Sequence, residues 1–355
     1  MTIAFDCRMI NASGVGVYLR GILPFLLQSQ NNFLLLGNVA QLHFSISNKN
    51  VKIIECNIKH FSVKELFFFP AETVRQINKA ELYFAPFFNI PHGIKIPVYT
   101  TIHDIIFPDM PKLSSRAGLA IRMWFFRRAY KKSRKIFTVS EFSKSRIERH
   151  LGAEKPVIVT YSAIQPMFLE YRTNNHSIIK KETIVFIGNI KKHKGLDYLL
   201  DAFSRAKKEG LPHLLIIIGS KDNFRTKDNA TLQKIEEIGN NAVSFTGFVS
   251  DKTLMEYLST AALLVQPSLY EGFCLPPLEA MVLGTHALIS DIPVLKEIYG
   301  DYPVTFFRAG NSEDLKEKMI KLLLNKKPSS PVLSKELLSK YSFKKTASII
   351  MKELE

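Results

Sequence analysis

Short apolar, β-rich runs alternate along this chain with stretches whose apolar residues fall at helical spacing, and the alternation continues from end to end. In the first half the strand candidates are "TIAFD", "FLLLGN", "VKIIEC", "ELYFAP", "VYTTIHD", "KIFTVS" and "PVIVTYS", with helices over Val17 to Gln28 and Ser114 to Lys132 between some of them. Strands that alternate with helices predict parallel sheets joined by crossover helices. The stretch "YRTNNHSIIKKE", Tyr171 to Glu182, then lacks apolar periodicity and predicts a linker. A second unit follows, with strands "TIVFIGN", "HLLIIIGS", "VSFTGF", "ALLVQPS", "HALISD" and "VTFF" and helices from about Leu196, Asp251, Pro277, Val294 and Ser312. From Ser334 onward, Leu337, Leu338, Tyr341, Phe343, Ile349, Ile350 and Leu354 recur at helical spacing and predict a C-terminal helix that docks back across the domains. The expected boundaries are therefore 1–170, a linker at 171–182, 183–333 and a terminal helix at 334–355. Ligands bind at the carboxyl ends of strands in such sheets, so two of them in series should face one another across a cleft suited to two substrates.

Composition narrows the picture modestly. At 355 residues, 46% apolar and 23% charged, the chain is an ordinary globular protein with room for two cores. No apolar run reaches the roughly 20 residues of a spanning helix, and "MTIAFDCRMI" is no signal peptide, so a cytoplasmic chain is expected. Cys7, Cys56 and Cys274 are scattered without C-x-x-C spacing, which predicts free thiols rather than disulfides or zinc. The formal charge of +16 favours a negatively charged partner: nucleic acid, an anionic membrane surface or a phosphorylated substrate.

Four stretches carry candidate chemistry. "YEGFCLPPLEAMVLGT" follows a strand candidate and enters a helix near Pro277, where proline's preset φ suits a helix start. The main-chain donors of Gly272 to Leu275 and of the helix start can hold a phosphate or a sugar hydroxyl. Glu279, in the first turn, can accept from paired ribose hydroxyls, and Glu271 from a sugar; as single residues they read equally well as a helix cap and a solvated loop charge. "FIGNIKKHKG" closes a strand and opens a helix, so Lys194 can reach a diphosphate as a mobile point charge, while Lys191 and Lys192 suit a solvated loop. "MINASGVGVYLRG" places Gly14 and Gly16 before a helix but lacks the full dinucleotide fingerprint, which disfavours a dehydrogenase. "TTIHDIIFPD" puts His103 and Asp104 at a strand end, where a lone His is as often a turn residue as a ligand.

The stretch at Glu271 resembles the E-G-F-G-L-P-x-x-E signature of retaining glycosyltransferases of family four, and the likeness extends over nearly the whole chain. The resemblance implies the GT-B fold, α/β with two facing Rossmann-like doubly wound domains and a C-terminal helix crossing back. It implies that Glu271 lies near the transferred sugar, that Glu279 holds the nucleotide ribose, and that Phe273, Cys274 and Leu275 help bind the donor. Cys274 stands where the family has glycine, a position that acts mainly through its backbone N–H. "GNIKKHKG" is similar to the family's G-R-x(4)-K-G element, with Lys194 at the lysine and Asn189 at the arginine, so Lys191 or Lys192 replaces the missing guanidinium or the diphosphate is held less firmly. The family's glycine loop implies donor and acceptor contacts at Gly14 and Gly16. His103 matches a His that contacts the transferred sugar, with Asp104 orienting its loop. Phe248 and Val249, in "FTGFVSD", match the region that holds the base, and Ser140 matches a serine at the interdomain cleft.

Retention of anomeric configuration is implied in the same way, through leaving-group-assisted attack on one face. No carboxylate stands out as a covalent nucleophile, and no D-x-D motif marks a metal-dependent donor site, so no cofactor or metal is expected. Between Ser114 and His150 the chain has eleven Lys or Arg and two Glu, with Leu119, Met123, Phe126 and Tyr130 at helical spacing. Arg127, Lys131 and Arg134 fall on a common stripe beside Trp124 and Phe125, which suits anionic lipid headgroups. The expectation is a hexosyltransferase, with mannose from GDP-mannose favoured, at the inner face of the cell membrane. It would act on a lipid-linked or oligosaccharide acceptor in O-antigen, capsule or exopolysaccharide assembly. The alternatives are a basic nucleic-acid-binding protein and a GT-B-fold epimerase or phosphorylase; the chain has no zinc-finger, RNA-recognition or helix-turn-helix signature to favour the first.

Overall fold

The computed structural model describes residues 1–42, 49–58, 60, 62, 65, 68–175, 178–219, 229–239, 241–325 and 330–355. Residues 176 and 177 of the expected linker and Ser220 at the end of one strand candidate lie outside them. The chain divides into two compact units, Met1–Ala163 with Tyr341–Glu355, and Ile164–Lys340.

The first unit runs β1 (Thr2–Asp6), α1 (Ser13–Leu26), β2 (Asn32–Gly37), β3 (Val51–Glu55), α2 (Ala71–Ile77), β4 (Leu82–Ala85), β5 (Val98–Thr101), α3 (Ile106–Asp109), α4 (Arg116–Lys132), β6 (Ser133–Thr138), α5 (Glu141–Leu151) and β7 (Val157–Val159). Its sheet has the order β3-β2-β1-β4-β5-β6-β7, all parallel. Phe5 sits opposite Leu35 on one side and Phe84 on the other. Every strand named in the sequence is present; the central strands β1, β4 and β5 are apolar runs almost wholly buried, while the edge strand β3 alternates with exposed Lys52 and Glu55.

The second unit runs α6 (Pro166–Asn174), β8 (Thr183–Ile187), α7 (Leu196–Lys208), β9 (Leu214–Ile218), α8 (Asn229–Ile238), β10 (Val243–Gly247), α9 (Asp251–Thr260), β11 (Leu263–Gln266), α10 (Pro276–Val282), β12 (Ala287–Ser290), α11 (Pro293–Tyr299), β13 (Thr305–Phe307), α12 (Ser312–Ile320) and α13 (Lys335–Lys340). Its parallel sheet has the order β10-β9-β8-β11-β12-β13. Leu199, Leu200 and Phe203 of α7 pack with Ile184, Phe186, Ile217 and Val265 beneath them.

Two boundaries differ from those the apolar pattern predicts. Tyr171–Asn174 are the last turn of α6 rather than a linker, and the unit changes earlier, after Ala163. Helix α6 buries only Phe168, so its polar sequence carries no apolar stripe to announce it. The C-terminal segment is two helices: α13 stays with the second unit, and α14 (Phe343–Leu354) belongs to the first. Phe343 fills the notch at Gly21 of α1, where any Cβ would strike its ring. Thr346 Oγ1 donates to the Thr160 carbonyl at 2.6 Å, and Lys135 Nζ pairs with Glu353 at 2.9 Å. Among the described residues no helix is long and apolar enough to cross a membrane.

Candidate functional site

In the second sheet the strand order reverses between β8 and β11, and the loops leaving their carboxyl ends meet at that switch point. Their meeting requires glycine. Gly195 has φ +69°, and a Cβ there would lie 1.9 Å from the Pro267 carbonyl oxygen. Leu269 N–H donates to the His193 carbonyl at 2.7 Å, which fixes the two loops in register. Lys194, in the single 3-10 turn Lys192–Lys194, is thereby brought to Glu271 across 77 residues of sequence.

Lys194 Nζ donates to Glu271 Oε1 at 2.7 Å and to Oε2 at 2.8 Å. Ser268 Oγ donates to Oε1 at 2.7 Å and in turn accepts from Gln266 Nε2 at 3.0 Å. Burial, and next the Glu271 charge, pushes the Cys274 thiol pKa well above its usual value. Burial raises the Glu271 pKa, but the Lys194 charge and the hydrogen bonds of Lys194 and Ser268 outweigh it, and the net shift is downward. His193 beside them is held neutral: burial first, then the Lys194 charge, lowers its pKa to about 4.

The helix after Glu271 begins at Pro276, one residue earlier than expected, so its first two positions are both prolines and offer no N–H. The available donors lie just before it. The N–H groups of Cys274 and Leu275 have no acceptor among the described residues. Cys274 has φ +73°, in the left-handed region that glycine favours, and is followed by Leu275 in the right-handed helical region. Successive N–H groups in such a left-then-right turn form a concave nest for an anion. The Tyr299 hydroxyl holds the Cys274 carbonyl from behind.

Glu279 lies in the first turn of α10, and its carboxylate has no hydrogen-bond or ion-pair partner among the described residues. Burial, reinforced by the Asp251 charge at the start of α9, raises its pKa to about 7. Phe248 and Val249 precede that same helix, and the Phe248 ring is 88% exposed. Asn189 is half-buried and Lys191 and Lys192 are exposed; none makes a hydrogen bond or ion pair through its side chain among the described residues.

The candidates of the first unit are less concentrated. Gly14 and Gly16 lie inside the first turn of α1, not in a loop before it. They do different jobs: Gly14 is exposed with open space where a Cβ would stand, whereas a Cβ on Gly16 would come 2.5 Å from the Ile10 carbonyl oxygen. The N-cap of α1, Ala12, has no capping side chain, so that end leaves N–H groups free for an anion. His103 is half-buried, with Nε2 2.9 Å from the Pro86 carbonyl and the Tyr18 ring edge-on at 5.0 Å. Burial lowers its pKa to about 4, so the neutral ring donates from Nε2 and keeps Nδ1 as an acceptor. Asp104 accepts from Ile106 N–H at 3.2 Å and so shapes the turn, and Ser140 caps α5 through Ser143 N–H at 3.0 Å.

The basic run is divided by the fold. Arg122, Arg128, Lys132, Lys135 and Arg146 are engaged with carbonyls or acids of the first unit. The side chains of Arg127 and Lys131 remain exposed on α4 with no hydrogen-bond or ion-pair partner among the described residues, and Arg134 lies exposed on β6 rather than on the helix. Phe125 is half-buried; the exposed apolar pair is Ile121 and Trp124, 58% and 49% accessible.

Ser268, His193, Cys274's side chain, Asp251 and Tyr299 shape the site and were not singled out by motif spacing for these roles. Ser268, three residues before Glu271 in a turn-forming sequence, carried the one usable signal. Among the described residues no cluster of His, Cys, Asp and Glu could hold a metal ion.

Residues 169–336 match the family model of glycosyl transferases group 1, and residues 79–166 that of Glycosyltransferase Family 4. The chain is 27% identical over 233 residues to the O-antigen chain mannosyltransferase B of Escherichia coli, a match spanning 63% of this chain and 60% of that one. It is 29% identical over 172 residues to the serotype-specific mannosyltransferase WbdA of Escherichia coli, spanning 48% of this chain and 20% of that one. These matches thus cover less than two thirds of either relative. Among solved structures, Anabaena Alr3699/HepE in complex with UDP and glucose superimposes with a TM-score of 0.73 at 16% identity, over 100% of this chain and 99% of that one.

Proposed function

We propose that this chain, whose second unit is a group 1 glycosyl transferase domain and whose two parallel-sheet units have the GT-B fold, transfers a hexose from a nucleotide-diphosphate sugar. The acceptor we assign is a lipid-linked glycan or oligosaccharide in surface polysaccharide assembly, and mannose is the favoured sugar because the two Escherichia coli relatives described above are mannosyltransferases. The observation that carries the proposal is the ion pair of half-buried Lys194 with buried Glu271 beside the free N–H groups of Cys274 and Leu275.

That arrangement supplies what departure of a nucleoside diphosphate needs. Negative charge grows on the leaving phosphate, and a preorganised ammonium with two main-chain donors stabilises it without reorganisation at the moment of reaction. Lys194 stands near the diphosphate as the cation, so the transfer needs no metal ion. Glu271, kept ionised by Lys194, accepts from hydroxyls of the transferred sugar, and Glu279 accepts from the ribose. His103 Nδ1 accepts from a sugar hydroxyl; its neutral ring carries no charge to repel the oxocarbenium-like centre. With no separate carboxylate assigned as nucleophile, attack on the face the diphosphate leaves gives retention.

Arg127, Lys131, Ile121 and Trp124 give α4 a cationic and apolar surface that we assign to the anionic leaflet where a lipid-linked acceptor resides. The test is transfer of tritiated sugar from GDP-mannose, UDP-glucose and other common sugar nucleotides to a polyprenyl-diphosphate glycan, with and without chelator. Chelator-insensitive transfer with retained configuration is expected. Absence of transfer from every donor, or a salt-sensitive gel shift with nucleic acid instead, would overturn the assignment.

A further inference from the structure

Gln266 closes β11 after Leu263, Leu264 and Val265, and all four residues are buried. An amide in such a place costs free energy unless its polar atoms are hydrogen-bonded. This one is satisfied on one side only: Nε2 donates to Ser268 Oγ at 3.0 Å, while Oε1 is buried with no partner among the described residues. For packing alone an apolar side chain would suit the strand better. The amide is explained instead by what it does to Ser268.

A serine hydroxyl has one proton, two lone pairs and a free rotor. With the Gln266 N–H on a lone pair, the proton is left for Glu271 Oε1 at 2.7 Å. Were the amide turned round, its carbonyl would take that proton and Glu271 would lose a donor. The serine backbone is fixed as well, because its carbonyl accepts from Ser290 Oγ at the end of β12. Two strand ends therefore aim one hydroxyl at one carboxylate oxygen.

The other donor is of a different kind. Lys194 meets Glu271 as a point charge on a flexible stem, and the terminal torsion of a glutamate is broad, so the ammonium can follow the carboxylate without setting its plane. Lys194 is assigned to the diphosphate as well, so a bound donor shares its charge. Ser268 is fully buried and acts only through Glu271.

We propose that Ser268, oriented by Gln266, is the positioning residue that holds Glu271 in line with the transferred sugar while Lys194 is shared with the diphosphate. This rests on the assignment of Glu271 to the sugar and of Lys194 to the diphosphate. Against burial, the Lys194 charge and the hydrogen bonds of Lys194 and Ser268 hold the Glu271 pKa down, so loss of the Ser268 hydroxyl raises it.

The test is steady-state transfer by the full chain and its Ser268→Ala, Ser268→Thr and Gln266→Met variants, from GDP-mannose and in parallel from UDP-glucose, to a polyprenyl-diphosphate glycan. Calorimetry follows the binding of GDP and UDP. With the donor that the unaltered chain uses, Ser268→Ala is expected to lower kcat about 10-fold and to raise KM less than about 3-fold, the loss of one charge-assisted hydrogen bond that positions a group. The acid limb of its kcat profile moves to higher pH, because Glu271 must be ionised. Ser268→Thr keeps the hydroxyl and should hold kcat within about 3-fold of the unaltered chain, and Gln266→Met should lower it about 3-fold, the weight of one indirect hydrogen bond. Affinity for the bare nucleotide stays constant throughout. If Ser268→Ala does not fold, Gln266→Met carries the same readings. An unchanged kcat and acid limb, a Ser268→Thr variant as impaired as Ser268→Ala, or an equal loss of bare-nucleotide affinity would overturn the relay while leaving the assignment of the site intact. Absence of transfer by the unaltered chain from either donor would instead overturn the functional assignment on which it rests.

Discussion

Glu271 and Glu279 flank the same loop and are equally buried, each 8% exposed, yet their surroundings drive them in opposite directions. Glu271 faces Lys194 and Ser268 and is held below the usual carboxylate range. Glu279 faces no donor among the described residues, feels Asp251, and is pushed up to about 7. Burial alone therefore does not decide the state of a carboxylate here; the partner does. The difference also suits the two tasks we assign. An acid beside developing positive charge on a sugar must be ionised throughout, while one that accepts from neutral ribose hydroxyls gains its donors when the nucleotide arrives.

The largest effect comes from erasing the partner. Lys194→Ala leaves Glu271 buried and unpaired, so transfer should fall by about 10²- to 10³-fold and the fold should lose about 3 kcal/mol. Steady-state kinetics and denaturant unfolding check both, and the Glu271 pKa should rise toward that of Glu279. The second effect is pH-dependent. The folded pKa of Glu279, about 7, lies above its ordinary 4.5, so its contribution to stability is fully present below pH 4.5 and is lost as pH rises through 7. That window is worth about 3 kcal/mol, and Glu279→Gln should flatten it in unfolding measured from pH 4 to 8. The depressed Glu271 runs the other way, adding stability above its ordinary 4.5 that is lost as pH falls through its folded value.

Smaller still, Gly195→Ala must push the Pro267 carbonyl aside and should cost about 2 kcal/mol in thermal unfolding. It should also weaken the Lys194–Glu271 contact, narrowing the difference between the two acids. The smallest effect lies away from both. Arg127→Glu and Lys131→Glu should each weaken sedimentation with anionic vesicles by more than the roughly 1 kcal/mol of one cation, since each reverses a charge, and leave transfer to a soluble acceptor unchanged.

Both sheets were legible in the chain because each strand is a short apolar run and each major crossover helix carries an apolar stripe. Helix α6 was not, since Phe168 is its single buried residue. The motif around Glu271 falls on the loop between β11 and α10, at the strand end its spacing predicts. The two prolines already excluded N–H donors from the first two helical positions, a chemical fact visible without coordinates. What spacing could not give is the closure of Lys194 on Glu271, which depends on the Gly195–Pro267 approach between loops far apart in sequence. Nor could it give the left-handed turn at Cys274, because a cysteine signals no such backbone, or the division of the basic run into buried ties and free charges.

The most direct test is the binding of a sugar nucleotide and its bare nucleotide to the unaltered chain, to Lys194→Ala and to Glu271→Gln. The account predicts that Lys194→Ala weakens both ligands alike, by about 100-fold, because it removes the cation on their shared diphosphate. It predicts that Glu271→Gln weakens only the sugar nucleotide. Unchanged affinities in both variants, or loss of the bare nucleotide in Glu271→Gln, would contradict it.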